Sequence, residues 1–165
     1  MFERINRKAA AVAATALAGT GLIGVVATAD AAARTAQVTN LRTGSHTGFD
    51  RIVLDYKGKK PAMKISIVNS LYSCGKGDRL SIPGDKILAI DLTPAQAHNG
   101  KGEDVYTGPG QLSTTPMSLL SIRGVRMACD FEGHVTFGIG IKDNVRRITY
   151  GFLADPKRVY IDLKR

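Results

Sequence analysis

VTFGIGIK, residues 135–142, alternates without a break: Val135, Phe137, Ile139 and Ile141 fall on one side, Thr136, Gly138, Gly140 and Lys142 on the other. A period of two marks a half-buried β-strand, because the apolar residues of a helix return every three or four positions. The same reading extends outward along the chain. RVYIDLK (158–164) turns Val159, Ile161 and Leu163 inward, DRIVLDY (50–56) lines up Ile52, Leu54 and Tyr56, and MKISIV (63–68) lines up Met63, Ile65 and Ile67. QVTNLRT (37–43), KILAIDLT (86–93), SLLSIRGVRMA (118–128) and RITYGFLA (147–154) are further strand candidates. Turn-forming pieces such as KGKKP, CGKGD, IPGD, TGPG and ADPK separate them. Only residues 94–115 break the rhythm, reading as a surface loop with one short helical turn at 94–98. The fold class is all-β, a compact sandwich or barrel of seven or eight strands.

The chain has 165 residues, and its first 33 do not enter the fold argument. Residues 1–8 carry Arg4, Arg7 and Lys8 against Glu3; residues 9–29 are uncharged; then ATADAAAR offers Ala-Asp-Ala and Ala-Ala-Ala cleavage sites. This order of basic, apolar and small-residue segments is that of a secretory signal peptide. GTGLIG (19–24) matches a dinucleotide-binding pattern but sits inside the apolar segment, without the strand and helix that the motif needs. Residues 34–165 form the expected domain, with 20 bases against 12 acids, a net charge of +8. Such a surface favours polyanions. Export points away from nucleic acid and toward wall polymers, with no membrane attachment after cleavage.

FDRIVLDY (49–56) and KRVYIDLK (157–164) share the pattern R-[IV]-x-[LI]-D, in Arg51–Asp55 and Arg158–Asp162, and KILAIDL (86–92) has a similar cadence. Base and acid four apart point to one face of a strand. One explanation is cross-strand pairing of opposite charges, with the repeats marking pseudo-symmetric halves of a sandwich. The other is a pair of catalytic carboxylates, for which no third group is visible. Structure is the reading adopted.

At this point a resemblance becomes specific. VTNLRTGSHTGFDRIVLDY, GDKILAIDLTPAQAH with YTGPGQL, CDFEGHVTFGIGIK and DPKRVYIDLKR resemble, in that order, the AMIN-like domain of secreted Gram-positive proteins, related to the AMIN module of cell-wall amidases. The resemblance implies a β-sandwich of two small sheets with no catalytic role. It also implies, by analogy with AMIN modules that deliver amidases to peptidoglycan, a wall-binding role, and with the net charge the expected partner is peptidoglycan or an anionic wall glycopolymer.

Cys74 and Cys129 are an even count in an exported chain, so a disulfide is expected. Free structural thiols, or a Cys129 nucleophile beside His134, are the alternatives. His46, His98 and His134 lack metal-ligand spacing, and neither a G-x-S-x-G elbow nor a P-loop is present. No cofactor, metal or catalytic residue is expected. Lys57, Lys59, Lys60 and Lys64, with Arg146 and Arg147, read either as edge protection or as a polyanion-binding surface. Gly138 and Gly140 within a strand mark a bulge or the close approach of another backbone or ligand. In the latter case they form the floor of a sugar site walled by Tyr150 or Tyr160. A secreted or wall protein docked at a sheet edge is the alternative partner.

Overall fold

The computed structural model describes residues 34–165; the expected signal peptide and the GTGLIG segment lie outside the described residues. The strands are β1 (Ala36–His46), β2 (Phe49–Gly58), β3 (Ala62–Val68), β4 (Lys86–Thr93), β5 (Ala95–Gln96), β6 (Thr115–Pro116), β7 (Ile122–Phe131), β8 (His134–Ile141), β9 (Arg147–Ala154) and β10 (Lys157–Lys164). Eight are long and overlap the eight strand candidates. The other two are two-residue pairings. β5 replaces the expected helical turn at 94–98, because Ala95 and Ala97 are drawn into the core and Ala36 N–H bonds the Pro94 carbonyl.

Two five-stranded sheets form, in the orders β5-β1-β2-β10-β9 and β3-β4-β8-β7-β6. Every pairing is antiparallel except the short one between β1 and β5. The inward rows of both sheets make one core. Leu41, Ile52, Leu54, Val159, Ile161 and Leu163 come from the first sheet, and Leu88, Ile90, Val135, Phe137, Ile139 and Ile141 from the second. Each such fully buried side chain stabilises by about 1.5–3 kcal/mol relative to exposure. β3 departs from its pattern: Ile67 is 52% exposed and Met63 and Ile65 only partly buried, since β3 is a free edge.

The second sheet is covered on its outer side. Residues 69–85 run as a strap across it, and Cys74 and Cys129 are joined by a disulfide that fixes the strap to β7. Cys74 N–H also bonds the Ala128 carbonyl at 3.1 Å. A Cβ on Gly138 would meet Leu71 Cδ2 at 2.5 Å and Ile82 Cδ1 at 2.6 Å, and one on Gly140 would collide with the Pro83 carbonyl. β8 pairs with β4 in unbroken register, and where the β7–β8 register shifts, between Ile122 and Gly124 beside Gly140 and Ile141, the extra residue is on β7 and not at these glycines. They are there because another stretch of the same chain lies on them. Gly140→Ala is therefore expected to destabilise by about 1–3 kcal/mol, as overpacking does. A denaturant melt unchanged by this substitution would mean that the strap yields freely.

Candidate functional site

The two aspartates of the repeated pattern meet arginines across strands. β2 and β10 are antiparallel neighbours with Arg158 opposite Asp55 and Asp162 opposite Arg51. In such a pair, base and acid four apart on each strand bring each base to the other strand's acid. Arg51 donates through Nε and Nη2 to both oxygens of Asp162, at 2.6 and 2.9 Å. Asp55 is instead taken by Arg42 of β1, again through Nε and Nη2, at 2.9 and 2.7 Å. Arg158 Nε donates to the Pro156 carbonyl. Hydrogen bonds to Asp162 and Asp55 hold the Arg51 and Arg42 guanidinium groups still more firmly protonated than usual. The third copy of the pattern lies in the other sheet, where Lys86 pairs with Asp143 and Asp91 meets His134 and Thr136. The repeats are neighbouring strands plus one outlier, not two symmetric halves.

These arginines stand on the outer face of the first sheet, which no strap crosses among the described residues. The Arg51 guanidinium lies 5.3 Å from the Phe49 ring centroid and 5.0 Å from that of Tyr160. The Tyr160 ring in turn lies across Gly151 of β9, where an added Cβ would meet it at 2.6 Å. His46 stacks on Phe49 with centroids 4.6 Å apart, closing the β1–β2 hairpin. Two hollows open on this face. The larger, about 540 Å³, includes Gln37, Asn40, Asp55, Lys57, Thr107 and Lys157 in its walls. The smaller, about 180 Å³, lies among Arg42, Gly44, His46, Arg51 and Val53. A further cleft of about 450 Å³ is on the other side, where the strap turns back into β4 beside Arg79, Asp85 and Lys86. Lys86 pairs with Asp143 and Asp85 accepts the Asp143 N–H, whereas the exposed Arg79 side chain makes no ion pair among the described residues.

The expected sugar site does not assemble. Gly138 and Gly140 lie under the strap on the second sheet, whereas Tyr150 and Tyr160 belong to the first. Tyr150 is opposite Ile161 on the inward row of the edge strand β9, and Tyr160 is opposite Gly151 on the outer face. The basic residues also fall into separate places. Lys57, Lys59 and Lys60 are at one end of the first sheet, Lys60 Nζ lying 4.2 Å from the Phe152 ring centroid. Arg146 and Arg147 are at the other end: Arg147 pairs with Lys164 and Arg146 N–H bonds its carbonyl. The seven-residue rise of β10 puts these ends roughly 23 Å apart. Lys64 is exposed on β3 of the second sheet, opposite Asp91.

Two acids that sequence reasoning passed over hold the frame. Asp50 is fully buried and accepts four hydrogen bonds: from Ser45 Oγ at 2.8 Å, Ser121 N–H at 2.6 Å, Ile122 N–H at 3.3 Å and Arg165 Nη1 at 3.2 Å. Burial pushes its carboxyl pKa up. The bonds from Ser121, Ser45, Ile122 and Arg165 outweigh that and hold it below the ordinary value. The signal was in the alternation, which places Asp50 on the same side as Ile52 and Leu54. Asp130 accepts the Ala97 N–H at 3.0 Å and pairs with His98 Nδ1 at 2.8 Å, pinning the start of the long loop. Farther along that loop Tyr106 is buried against Phe137 and donates to the Pro109 carbonyl at 2.6 Å. Burial raises its phenol pKa.

Thus the GFDR, DFEG and YTGPG pieces each have a structural task. Asp50 of GFDR joins the sheets. DFEG supplies Asp130 and the turn at Glu132 and Gly133, whose φ angles are 49° and 78° as a tight hairpin of this kind requires. Among the described residues no group of three or more His, Cys, Asp or Glu side chains is placed to hold a metal. No curated protein matches the chain. A family model of the AMIN-like domain matches residues 36–165, from the first residue of β1 to the last of the chain. Its span takes in both sheets, the strap and the loop, and the chain belongs to the AMIN-like domain family.

Proposed function

We propose that this chain is an exported domain that holds an anionic wall polymer, peptidoglycan or an anionic glycopolymer, against the outer face of its first sheet. The AMIN-like family is one of cell-wall-related, non-catalytic modules, and the disulfide suits an oxidising, extracellular setting. The observation that carries the reading is the inequality of the two outer faces. One is covered by the disulfide-fixed strap. The other carries no covering segment among the described residues, with Arg42, Arg51 and Arg158 interleaved with Phe49 and Tyr160 and with the larger cleft at one end. Cations over aromatic faces suit a polymer that is both sugar and anion.

The test is co-sedimentation with walls that carry anionic polymers and with walls stripped of them. Binding is expected to be stronger to the former and to fall as salt screens the charges. Replacing Lys57, Lys59 and Lys60 together by glutamine is expected to weaken it several-fold without changing the melt, since Lys57 lines the cleft and the other two lie in the adjoining turn. Equal sedimentation of this variant and wild type would remove the electrostatic reading.

A second reading has its own observation. β9 is an eight-residue edge with no outer partner strand among the described residues, and it exposes Tyr150 at 55% and Leu153 at 41%. A secreted or wall protein docking there by strand addition would retain binding in high salt and lose it on introduction of a proline into β9.

A further inference from the structure

The open face holds two hollows in line along β1 and β2, and they differ in size and chemistry. The larger, about 540 Å³, is within the range of small-molecule sites. Gln37, Asn40, Asp55 and Thr107 offer it amide, carboxylate and hydroxyl groups suited to a ring bearing hydroxyls, with Lys57 and Lys157 at its margin. The smaller, about 180 Å³, is below that range and takes a single group. Arg42 and Arg51 both border it. Each guanidinium has five N–H donors and spends two on its aspartate. The remaining three on each have no acceptor among the described residues. The aspartates fix the planes of the guanidinium groups before any ligand arrives, which lowers the ordering cost of binding. The Arg42–Asp55 ion pair stands between the hollows, Arg42 bordering one and Asp55 the other. Asp55 and Arg51 are four residues apart on β2, so the centres are separated by roughly 14 Å.

The geometry points to a site for a linear glycan bearing anionic groups, with a sugar ring in the larger cleft and a carboxylate or phosphate farther along the same chain between Arg42 and Arg51. This rests on the wall-polymer reading and deepens it by specifying chain form and charge. A single sugar fills one hollow only. A neutral chain leaves the arginine hollow empty, and an unglycosylated polyanion leaves the cleft empty.

The experiment is calorimetric titration of the exported protein with defined probes. These are galacturonate as monomer, dimer and hexamer, an uncharged N-acetylglucosamine hexamer, a sugar-substituted glycerol-phosphate oligomer, and polyglutamate of matched charge. The charged hexamer is expected to bind at least about tenfold more tightly than the monomer, the neutral hexamer or polyglutamate. The glycerol-phosphate arm tells whether phosphate or carboxylate is the preferred anion. Gly44→Glu places a competing carboxylate between the two arginines. It fits, because a Cβ there meets nothing nearer than His46 Nε2 at 3.9 Å. With an unchanged thermal melt, this variant is expected to bind the preferred charged oligomer no better than the neutral one. Equal affinity for monomer and hexamer, polyglutamate binding as tightly as the glycans, or Gly44→Glu binding like wild type would each overturn the two-hollow site. If wall sedimentation persists in those cases, the wall reading stands without it; if sedimentation is lost in wild type, both fall.

Discussion

Asp50→Ala is expected to remove about 3–5 kcal/mol of stability, the cost of breaking a buried charged network from one side. A domain of ordinary stability holds about 5–15 kcal/mol in all, so much of the margin goes with one carboxylate. The loss has a local cause. Ser121 N–H and Ile122 N–H, which open β7, and the Arg165 guanidinium at the end of the chain all donate to Asp50. Alanine leaves the two N–H groups in the core without an acceptor. Asp50→Asn keeps the shape and one acceptor and is expected to cost less, about 1–3 kcal/mol. The pH dependence carries its own signature. A carboxylate held below its ordinary value of 3.8 contributes stability that is fully present above that value. The contribution is lost as pH falls through the lower, folded-state pKa. Wild type should therefore lose this increment in acid below about pH 4, and Asp50→Asn should have a flatter acid limb. Chemical denaturation of the three proteins across that range measures both effects. An Asp50→Ala variant within about 1 kcal/mol of wild type at neutral pH would show that the network is not what holds β7 to β2.

Replacing Cys74 and Cys129 together by serine is expected to cost about 4 kcal/mol, since the bridge closes a loop across a separation of 55 residues. The melt should fall by roughly 10–20 °C, and reduction of wild type should reproduce the shift. The strap explains where the effect appears first. Without the bridge, residues 69–85 are held by the Cys74 and Asp85 N–H bonds to the Ala128 and Ile141 carbonyls and by packing of Leu71, Ile82 and Pro83 on the glycines beneath. Trypsin should cut after Lys76 and Arg79, both exposed within the strap, before it cuts elsewhere. Wall binding by the serine variant is expected to survive below its melting temperature, because the proposed face belongs to the opposite sheet. A bridge-free protein that melts and digests like wild type would leave the strap's attachment to packing and backbone hydrogen bonds.

Alternation marked β2, β3, β8 and β10, the turn-forming pieces set off the other four long strands, and alternation assigned the inward rows of β2, β8 and β10 residue by residue. That success is physical: the pleat turns successive side chains to opposite faces whatever the strand is joined to, so period and burial are local properties. The same parity placed Asp50 among the apolar residues of β2, a legible signal once its four donors are known. Family membership was legible too, because the motifs that carry it are the turns and anchoring acids that the fold requires. Strand order was not local. Whether Arg51 meets Asp162 or Arg158 meets Asp55 depends on β2 and β10 being antiparallel neighbours, and Asp55 went to Arg42 on the other side. Gly138 and Gly140 were read as a bulge or as the close approach of another backbone or a ligand, and nothing in their own strand records that it is Pro83 and Leu71 of the same chain that come to rest on them. The lysines and arginines were grouped by their kind, whereas strand length sets them at opposite ends of a sheet. Pattern in the chain thus determined which side chains face inward. Burial of apolar surface between segments distant in sequence decided which outward-facing side chains are neighbours, and therefore which face of the sandwich is left uncovered among the described residues.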